Sequence, residues 1–350
     1  MYPTRRSIAC IVPPDLLRDI IRNGNEEERG AAADTMAVDQ TFRTLRSAFA
    51  ATVAANQVAM RPMGGMGGSP QRTIYDQKNS NAIALGTVAR TEGQKKVKDP
   101  AVNEAYDGFG ATYKFFWDVY GRNSIDSAGM PLLGLVHYST NYANAFWDGQ
   151  GHMFFGDGDG QLFTRLTASL DVIGHELTHG VTQFEANLVY QGQSGALNES
   201  MSDVFGSLTK QYAKKHTAEQ ADWLIGAEIV GPALQPALRS MKAPGTANQY
   251  DKQPASMDDF VDTAADNGGV HINSGIPNHA FYTTATTLGG TAWGTAGRIW
   301  YDSLRDEKIK PTSGFKAFAR ATVRQAEIRF GAGAEVDAVR AGWDKVKVKL

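Results

Sequence analysis

Apolar positions near the front of the chain fall into two helical stripes. In PPDLLRDIIRNG, Leu16, Leu17, Ile20 and Ile21 recur at i, i+1, i+4 and i+5, which gathers them on one helical face. Pro13 and Pro14 suit a helix entry, and Asn23-Gly24 suits an exit. A second amphipathic run, roughly residues 31–55, carries Met36, Val38, Phe42, Leu45, Phe49 and Val53. Two helices of this size bury too little to stand alone, so they are expected to pack on something larger. The next stretch, MRPMGGMGGSPQ at 60–71, has neither a helical nor a strand period. Gly costs a helix about 1 kcal/mol and Pro about 3 kcal/mol, so this stretch reads as a connector.

Beyond the connector the pattern changes to short β-type runs: RTIYD, AIALGTVAR, LLGLVHYS and HMFFGDGDGQLF. AFWDGQGHMFF reads as a hairpin with Asp148-Gly149 near its turn. One helix is expected to interrupt, around Val102–Tyr120. From about 165 onward the pattern is mainly helical, with one helix read over Thr167–Val181. The expected fold class is α+β. A helical front segment (1–55) and a linker (56–70) precede a β-rich half (71–165) and an α-helical half (166–350), with a cleft between the halves.

The 350 residues are 42% hydrophobic and 21% charged, with a formal net charge of -2. No basic cluster points to nucleic acid, and no apolar run reaches the roughly 18 residues of a membrane span. The single cysteine, Cys10, rules out an intramolecular disulfide. Arg5 and Arg6 precede SIACIV and then Pro13-Pro14. A Sec core needs about 7–15 apolar residues, so no Sec signal is read. The expectation is cytoplasmic synthesis and, if the protein leaves the cell, a non-classical route.

The chemistry concentrates in DVIGHELTHGVTQ at 171–183. His175 and His179, at i and i+4, share one helical face and can meet one metal ion. Glu176 lies beside them, placed to act on a metal-bound water rather than to ligate. Catalytic zinc takes three protein ligands and keeps one open position, so a third is needed. Twenty residues on, Glu199 and Asp203 are again i and i+4, among Leu197, Met201, Val204, Phe205 and Leu208. One carboxylate can reach the metal, and the other can accept the free N–H of a ligating histidine. The plain alternative, an exposed acidic face, fits that apolar company poorly.

These blocks, with YANAFWDGQGHMFFGDGDGQLF, ALRSM and DNGGVHINSGIPNHAFY, resemble the thermolysin-like zinc metalloendopeptidases over roughly 71–350. The front, with its PPDLL start, resembles the short pro-segment of the protealysin-like branch. The resemblance implies zinc on His175, His179 and Glu199, with Glu176 as general base and then proton donor. It implies Tyr190 and His271 as oxyanion donors, Asp203 orienting His175 and Asp266 orienting His271. Asn144, the Ala145 carbonyl and Arg239 would hold the substrate backbone. Phe163, Leu166, Val172 and Leu238 would line the pocket just after the scissile bond, so cleavage is expected before bulky hydrophobic residues.

The chain departs from the family at its double calcium site. Asp171 and Asp222 match, but Lys210, Leu224 and Ala227 replace acidic residues, and two carboxylates cannot satisfy ions that want six to eight oxygens each. GPALQPALRS lacks the acid of a second calcium site. The Lys210 ammonium is expected to replace a cation, pairing with Asp171 or Asp222.

The front segment is expected to be an intramolecular inhibitor of a monomeric zymogen, with Leu16-Leu17 filling apolar subsites. Cys10 could approach the metal, though a buried or solvent-facing thiol is the weightier reading. His137, His152 and His216 show no partner pattern and are assigned surface or packing roles; His279 is read as structural and GDGDGQ as a hairpin turn. Self-cleavage is expected before Val58, Met60, Met63 or Met66. Two other functions compete: a zinc hydrolase of non-protein substrates such as a deacetylase, and a binding module with a dead metal site.

Overall fold

The computed structural model describes residues 9–53 and 68–350, with the backbone alone from 42 to 53. The expected cleavage points, and the connector as far as residue 67, fall outside the described residues. The front segment opens with a two-residue strand, β1 (Ala9–Cys10), which the helical reading missed. Helices α1 (Pro14–Asn23) and α2 (Glu26–Val53) follow. The β-rich half holds β2 (Arg72–Asp76), β3 (Thr87–Thr91), α3 (Pro100–Tyr120), β4 (Leu132–Val136), β5 (Ala145–Trp147) and β6 (His152–Phe155).

These strands form one mixed sheet in the order β1-β5-β6-β4-β2-β3. β1 is therefore an edge strand contributed by the front segment, antiparallel to β5 with Ala9 opposite Trp147 and Cys10 opposite Phe146. β5 and β6 form the expected hairpin. Asp148 Oδ1 closes its turn by accepting from the backbone N–H groups of Gln150, Gly151 and His152. α3 begins where Asp99 Oδ1 accepts from the Ala101 and Val102 N–H groups, with Pro100 at the first turn.

The helical half comprises α4 (Leu170–Phe184), α5 (Gly192–Lys214), strands β7 (Leu224–Ile225) and β8 (Arg239–Ser240), then α6 (Asp266–Asn273), α7 (Gly275–Leu288), α8 (Thr295–Leu304), α9 (Phe315–Phe330) and α10 (Ala334–Lys345). The helix read over Thr167–Val181 is broken. Leu166–Ala168 is a separate 3-10 turn, and α4 starts only after Ser169, whose backbone is extended. The Ser169 hydroxyl instead bonds carboxylates of Asp171 and Glu228, at 2.6 Å each.

α4 and α5 cross at two glycines. A Cβ on Gly206 would lie 2.4 Å from the Asp171 carbonyl oxygen, and one on Gly174 would lie 3.0 Å from the Gly206 Cα. Only glycine permits this approach, and it brings the α5 carboxylates over the α4 histidines. No described helix is long and apolar enough to cross a membrane.

Three histidines have partners that sequence spacing did not reveal. His137 is clamped between Asp157 (Nδ1, 2.8 Å) and Asp99 (Nε2, 2.8 Å). The Asp157 hydrogen bond, helped by Asp99 and opposed by burial, pushes its pKa up to about 9. His152 Nδ1 meets Asp148 Oδ2 at 2.7 Å, and His279 Nδ1 meets the Ala255 carbonyl at 3.1 Å. The 156–161 segment is not a hairpin turn. It is a loop in which Asp157 serves the His137 clamp and Asp159 Oδ1 accepts from the backbone of Gln161, Leu162 and Phe163.

Candidate active site

α4 presents His175 and His179 one turn apart, and both are buried. His175 Nδ1 faces Asp203 Oδ1 at 2.9 Å, and His179 Nδ1 faces Asn198 Oδ1 at 2.8 Å. The Asn198 amide is oriented by its Nδ2, which donates to the Leu188 carbonyl at 3.2 Å. Each Nδ1 must therefore carry the proton, and each Nε2 is left with a bare lone pair. Those two Nε2 atoms lie 3.0 Å from each other. Glu199 closes the triangle, with Oε2 at 3.5 Å from His175 Nε2 and Oε1 at 3.5 Å from His179 Nε2.

Three lone-pair donors within 4.8 Å of one another repel unless a cation lies between them. Tetrahedral zinc, with Zn–N near 2.0–2.1 Å, holds its ligands roughly 3.3 Å apart. The donor set therefore fits zinc. Burial, aided by the neighbouring His175 ring, pushes the His179 pKa well down, which keeps it neutral as a ligand.

Glu176 is fully buried beside this triangle. Neither of its carboxylate oxygens has a hydrogen-bond partner among the described residues, although the Trp147 backbone is near enough to favour its charged form. Burial and then the Glu199 charge push its pKa well up. An orphaned buried carboxylate next to a metal triangle is a ready acceptor for a water proton.

α6 begins with an unusual backbone. Asp266, Asn267, Gly268 and Gly269 all have φ between 50° and 83°, a left-handed run that folds the chain back on itself. Asp266 can then accept from both the backbone N–H of His271 (2.8 Å) and its Nδ1 (2.6 Å). Burial opposes charge on His271, but Asp266 and Glu199 outweigh it and hold the pKa well above normal. Tyr190 lies on the loop before α5. Its hydroxyl donates to Glu199 Oε1 and lies 3.1 Å from His271 Nε2. Burial and the Glu199 charge keep that phenol protonated.

Asp203 is the hub of a second layer. Its Oδ1 takes His175 and Arg239 Nη2 (2.7 Å), and its Oδ2 takes Arg239 Nε (2.9 Å) and Asn278 Nδ2 (2.8 Å). Burial would raise the Asp203 pKa, but Arg239 and His175 draw it well down. The same ion pair holds Arg239 charged.

These buried groups match, domain by domain, known descriptions. Residues 50–183 match the thermolysin metallopeptidase catalytic domain, and 186–348 match its alpha-helical domain. The chain belongs to the thermolysin metallopeptidase family. It is a zinc metalloendopeptidase of thermolysin type. An extracellular metalloprotease of Pectobacterium carotovorum subsp. carotovorum is 46% identical over 99% of this chain and 98% of that protein. Protease PrtS of a Photorhabdus species is 41% identical over 97% of this chain and 92% of that protein. The solved precursor of protealysin, a metalloproteinase from Serratia proteamaculans, superposes with a TM-score of 0.86 at 47% identity. It covers 97% of this chain and 100% of that one.

In this thermolysin-type chain the front segment lies against Asn144, Ala145, Arg239 and His271. The Ile11 N–H donates to the Ala145 carbonyl (3.2 Å), and the Val12 N–H donates to Asn144 Oδ1 (2.9 Å). Asn144 Nδ2 donates to the Val12 carbonyl (3.4 Å). Arg239 Nη1 donates to the Ile11 carbonyl (2.7 Å), and His271 Nε2 donates to the Cys10 carbonyl (2.8 Å). Phe163, Leu166, Val172 and Leu238 are all buried. Leu16 borders a small cavity with Leu238, Arg239 and His271, but the backbone of 10–12 makes the polar contacts in the cleft. The Cys10 thiol does not join the metal triangle. Its side chain packs among Leu135, Tyr138, Tyr142, Phe146 and Phe154, with Sγ 3.7 Å from the Val12 carbonyl.

Sequence reasoning missed Asn198, Asn278 and the backbone of 10–12. Asn198 sits just before Glu199 in LNES, and that adjacency was the only available signal. Outer hydrogen bonds of this kind are worth about 10–100-fold in metal affinity. Asn198→Ala is therefore expected to weaken zinc binding by about that factor while the fold is kept, as measured by competition with a chromogenic chelator.

Proposed function

We propose that the protein is made as a latent neutral endopeptidase that hydrolyses peptide bonds before bulky hydrophobic residues. The observation that carries this reading is the peptide backbone of 10–12, gripped in the cleft by Asn144, Ala145, Arg239 and His271. That grip favours a peptide over the small acyl group of a deacetylase substrate. The orphaned Glu176 carboxylate argues against a binding module.

Zinc on His175, His179 and Glu199 would supply a Lewis acid and bring the pKa of a bound water towards about 7. Glu176 takes the water proton and passes it to the leaving amine. Tyr190 and His271 donate to the carbonyl oxygen as negative charge grows there, and preorganised donors of this kind are worth about 3–4 kcal/mol each. Asp266 keeps His271 charged and aimed, while Asp203 fixes both the His175 tautomer and Arg239. Phe163, Leu166, Val172 and Leu238 form the apolar pocket that receives the residue after the cut.

In this reading residues 1–55 are an inhibitory pro-segment and 56–70 carry the maturation site, with 71–165 and 166–350 as the two halves of a monomeric enzyme. Besides β1, the segment is held by Asp39, whose carboxylate meets the Tyr142 hydroxyl (2.5 Å) and Asn144 Nδ2 (3.2 Å). Thr35 Oγ1 takes the Ala143 N–H (3.2 Å), and Asp19 pairs with Lys252. The enzyme would act outside the cell, as the Pectobacterium relative is named an extracellular metalloprotease.

The Lys210 ammonium takes the place of calcium in the same reading. It lies 2.7 Å from Asp171 Oδ2, 3.1 Å from Asp222 Oδ1 and 2.7 Å from the Leu224 carbonyl, so it pairs with both aspartates rather than one. Burial opposes its charge, but Asp171 and Asp222 hold its pKa above normal. Leu224 and Ala227 supply no carboxylate.

Casein digestion by the matured protein is expected to vanish with Glu176→Ala and with o-phenanthroline. A peptide library should show cuts before Leu, Ile, Phe and Val; a preference for Asp or Gly there would contradict the pocket assignment. Adding millimolar calcium to the zinc-saturated protein is expected to leave the melting temperature unchanged. Lys210→Ala, which strands Asp171, should cost about 3–5 kcal/mol in chemical denaturation. A melting temperature that climbs with calcium would refute the ammonium substitution.

A further inference from the structure

The strand that fills the cleft has a definite register. Three consecutive residues, 10 to 12, are held through their backbone by His271, Arg239, Ala145 and Asn144. The Cys10 carbonyl accepts from His271 Nε2 at 2.8 Å. Both nitrogens of that ring face oxygen, Asp266 on one side and the Cys10 carbonyl on the other, so the ring donates from both as an imidazolium. The same Nε2 lies 3.5 Å from Glu199 Oε1 and 3.1 Å from the Tyr190 hydroxyl, so the Cys10 carbonyl sits at the rim of the metal triangle. The next carbonyl, that of Ile11, is on Arg239, and the Ile11 N–H is on Ala145. One residue further, both backbone groups of Val12 meet the Asn144 side chain.

We propose that the Cys10–Ile11 peptide bond occupies the position of the bond to be cut, and that the chain hydrolyses it in place. This rests on the peptidase reading above and adds a processing site apart from the linker. Ile11 is the kind of residue the pocket should take: branched, apolar and 0% exposed. One water is consumed. Its oxygen joins the Cys10 carbonyl carbon, the C–N bond breaks, and Glu176 relays a proton to the Ile11 nitrogen. The products are residues 1–10 with a new carboxylate, and a chain that begins at Ile11.

The register also sets an order of events. The cleft holds one strand, and that strand is 9–12, so a linker bond cannot enter while the front segment is docked. The Cys10–Ile11 cut is intramolecular and comes first. Linker cleavage follows, either on another molecule or after the segment leaves. The first cut does not by itself free the enzyme, because residues 11–53 remain anchored by Thr35, Asp39 and Asp19. The cut chain is therefore a docked product rather than an active enzyme.

The test uses the full-length protein loaded with zinc, followed by intact-mass spectrometry and N-terminal sequencing at several protein concentrations. The expected first species starts at Ile11, appears with a half-time independent of concentration, and is absent in Glu176→Gln. Ile11→Asp should slow the cut by more than tenfold. Hydrogen exchange on the zinc-free protein reads the register without turnover: the Ile11 and Val12 amides should be protected, and Ile11→Asp should release them. The proposal is overturned if the front stays joined at Cys10–Ile11 while casein-digesting enzyme accumulates. It is equally overturned if Glu176→Gln is cut at the same bond, or if the Ile11 amide exchanges freely. Failure to digest casein under any condition would remove the peptidase reading as well.

Discussion

Two imidazole nitrogens with bare lone pairs, 3.0 Å apart in a buried interior, are the constraint around which this fold is arranged. Such a contact is repulsive without a cation between the nitrogens, and the protein spends considerable structure holding it. Asp203 and Asn198 fix the two tautomers from α5. The Gly174 and Gly206 crossing brings α5 near enough for those side chains and Glu199 to reach α4. The buried Glu176 beside the triangle completes the site with a carboxylate placed to accept a water proton.

The same groups that would handle a substrate are already in use. Asn144, Ala145, Arg239 and His271 hold the front segment by its backbone. On the proposed function, a latent and a reactive state would compete for one set of hydrogen bonds, and latency would be a matter of occupancy rather than distortion. That grip also explains why a two-residue strand suffices at the sheet edge. Its backbone pairing continues into side-chain clamps, and α1 and α2 add anchors at Asp19, Thr35 and Asp39.

Much of this was readable in the chain itself. The i, i+4 spacing of His175 and His179, repeated by Glu199 and Asp203, encodes the metal geometry locally, because one helical turn fixes it. The α+β division follows from the change of period near residue 165, and the thermolysin-type blocks carried the family. What could not be read depends on partners distant in sequence. The His137 clamp joins residues 99, 137 and 157; Asn278 reaches Asp203 across 75 positions; and the strand at Ala9–Cys10 exists only by pairing with β5, at Phe146 and Trp147. The break at Ser169 was hidden for another reason. Its neighbours are apolar with a helical period, and only the Asp171 and Glu228 carboxylates give its hydroxyl a better place outside the helix. Lys210 was flagged by its charge among acids, but its three-way contact was not.

The most direct measurement is the zinc content and zinc-dependent stability of the purified full-length chain, by elemental analysis and thermal melts. The account predicts one equivalent of zinc per chain, a marked fall in melting temperature when it is stripped, and loss of both in His179→Ala. Zinc binding no tighter than that of His179→Ala, or an apoprotein as stable as the zinc form, would contradict it.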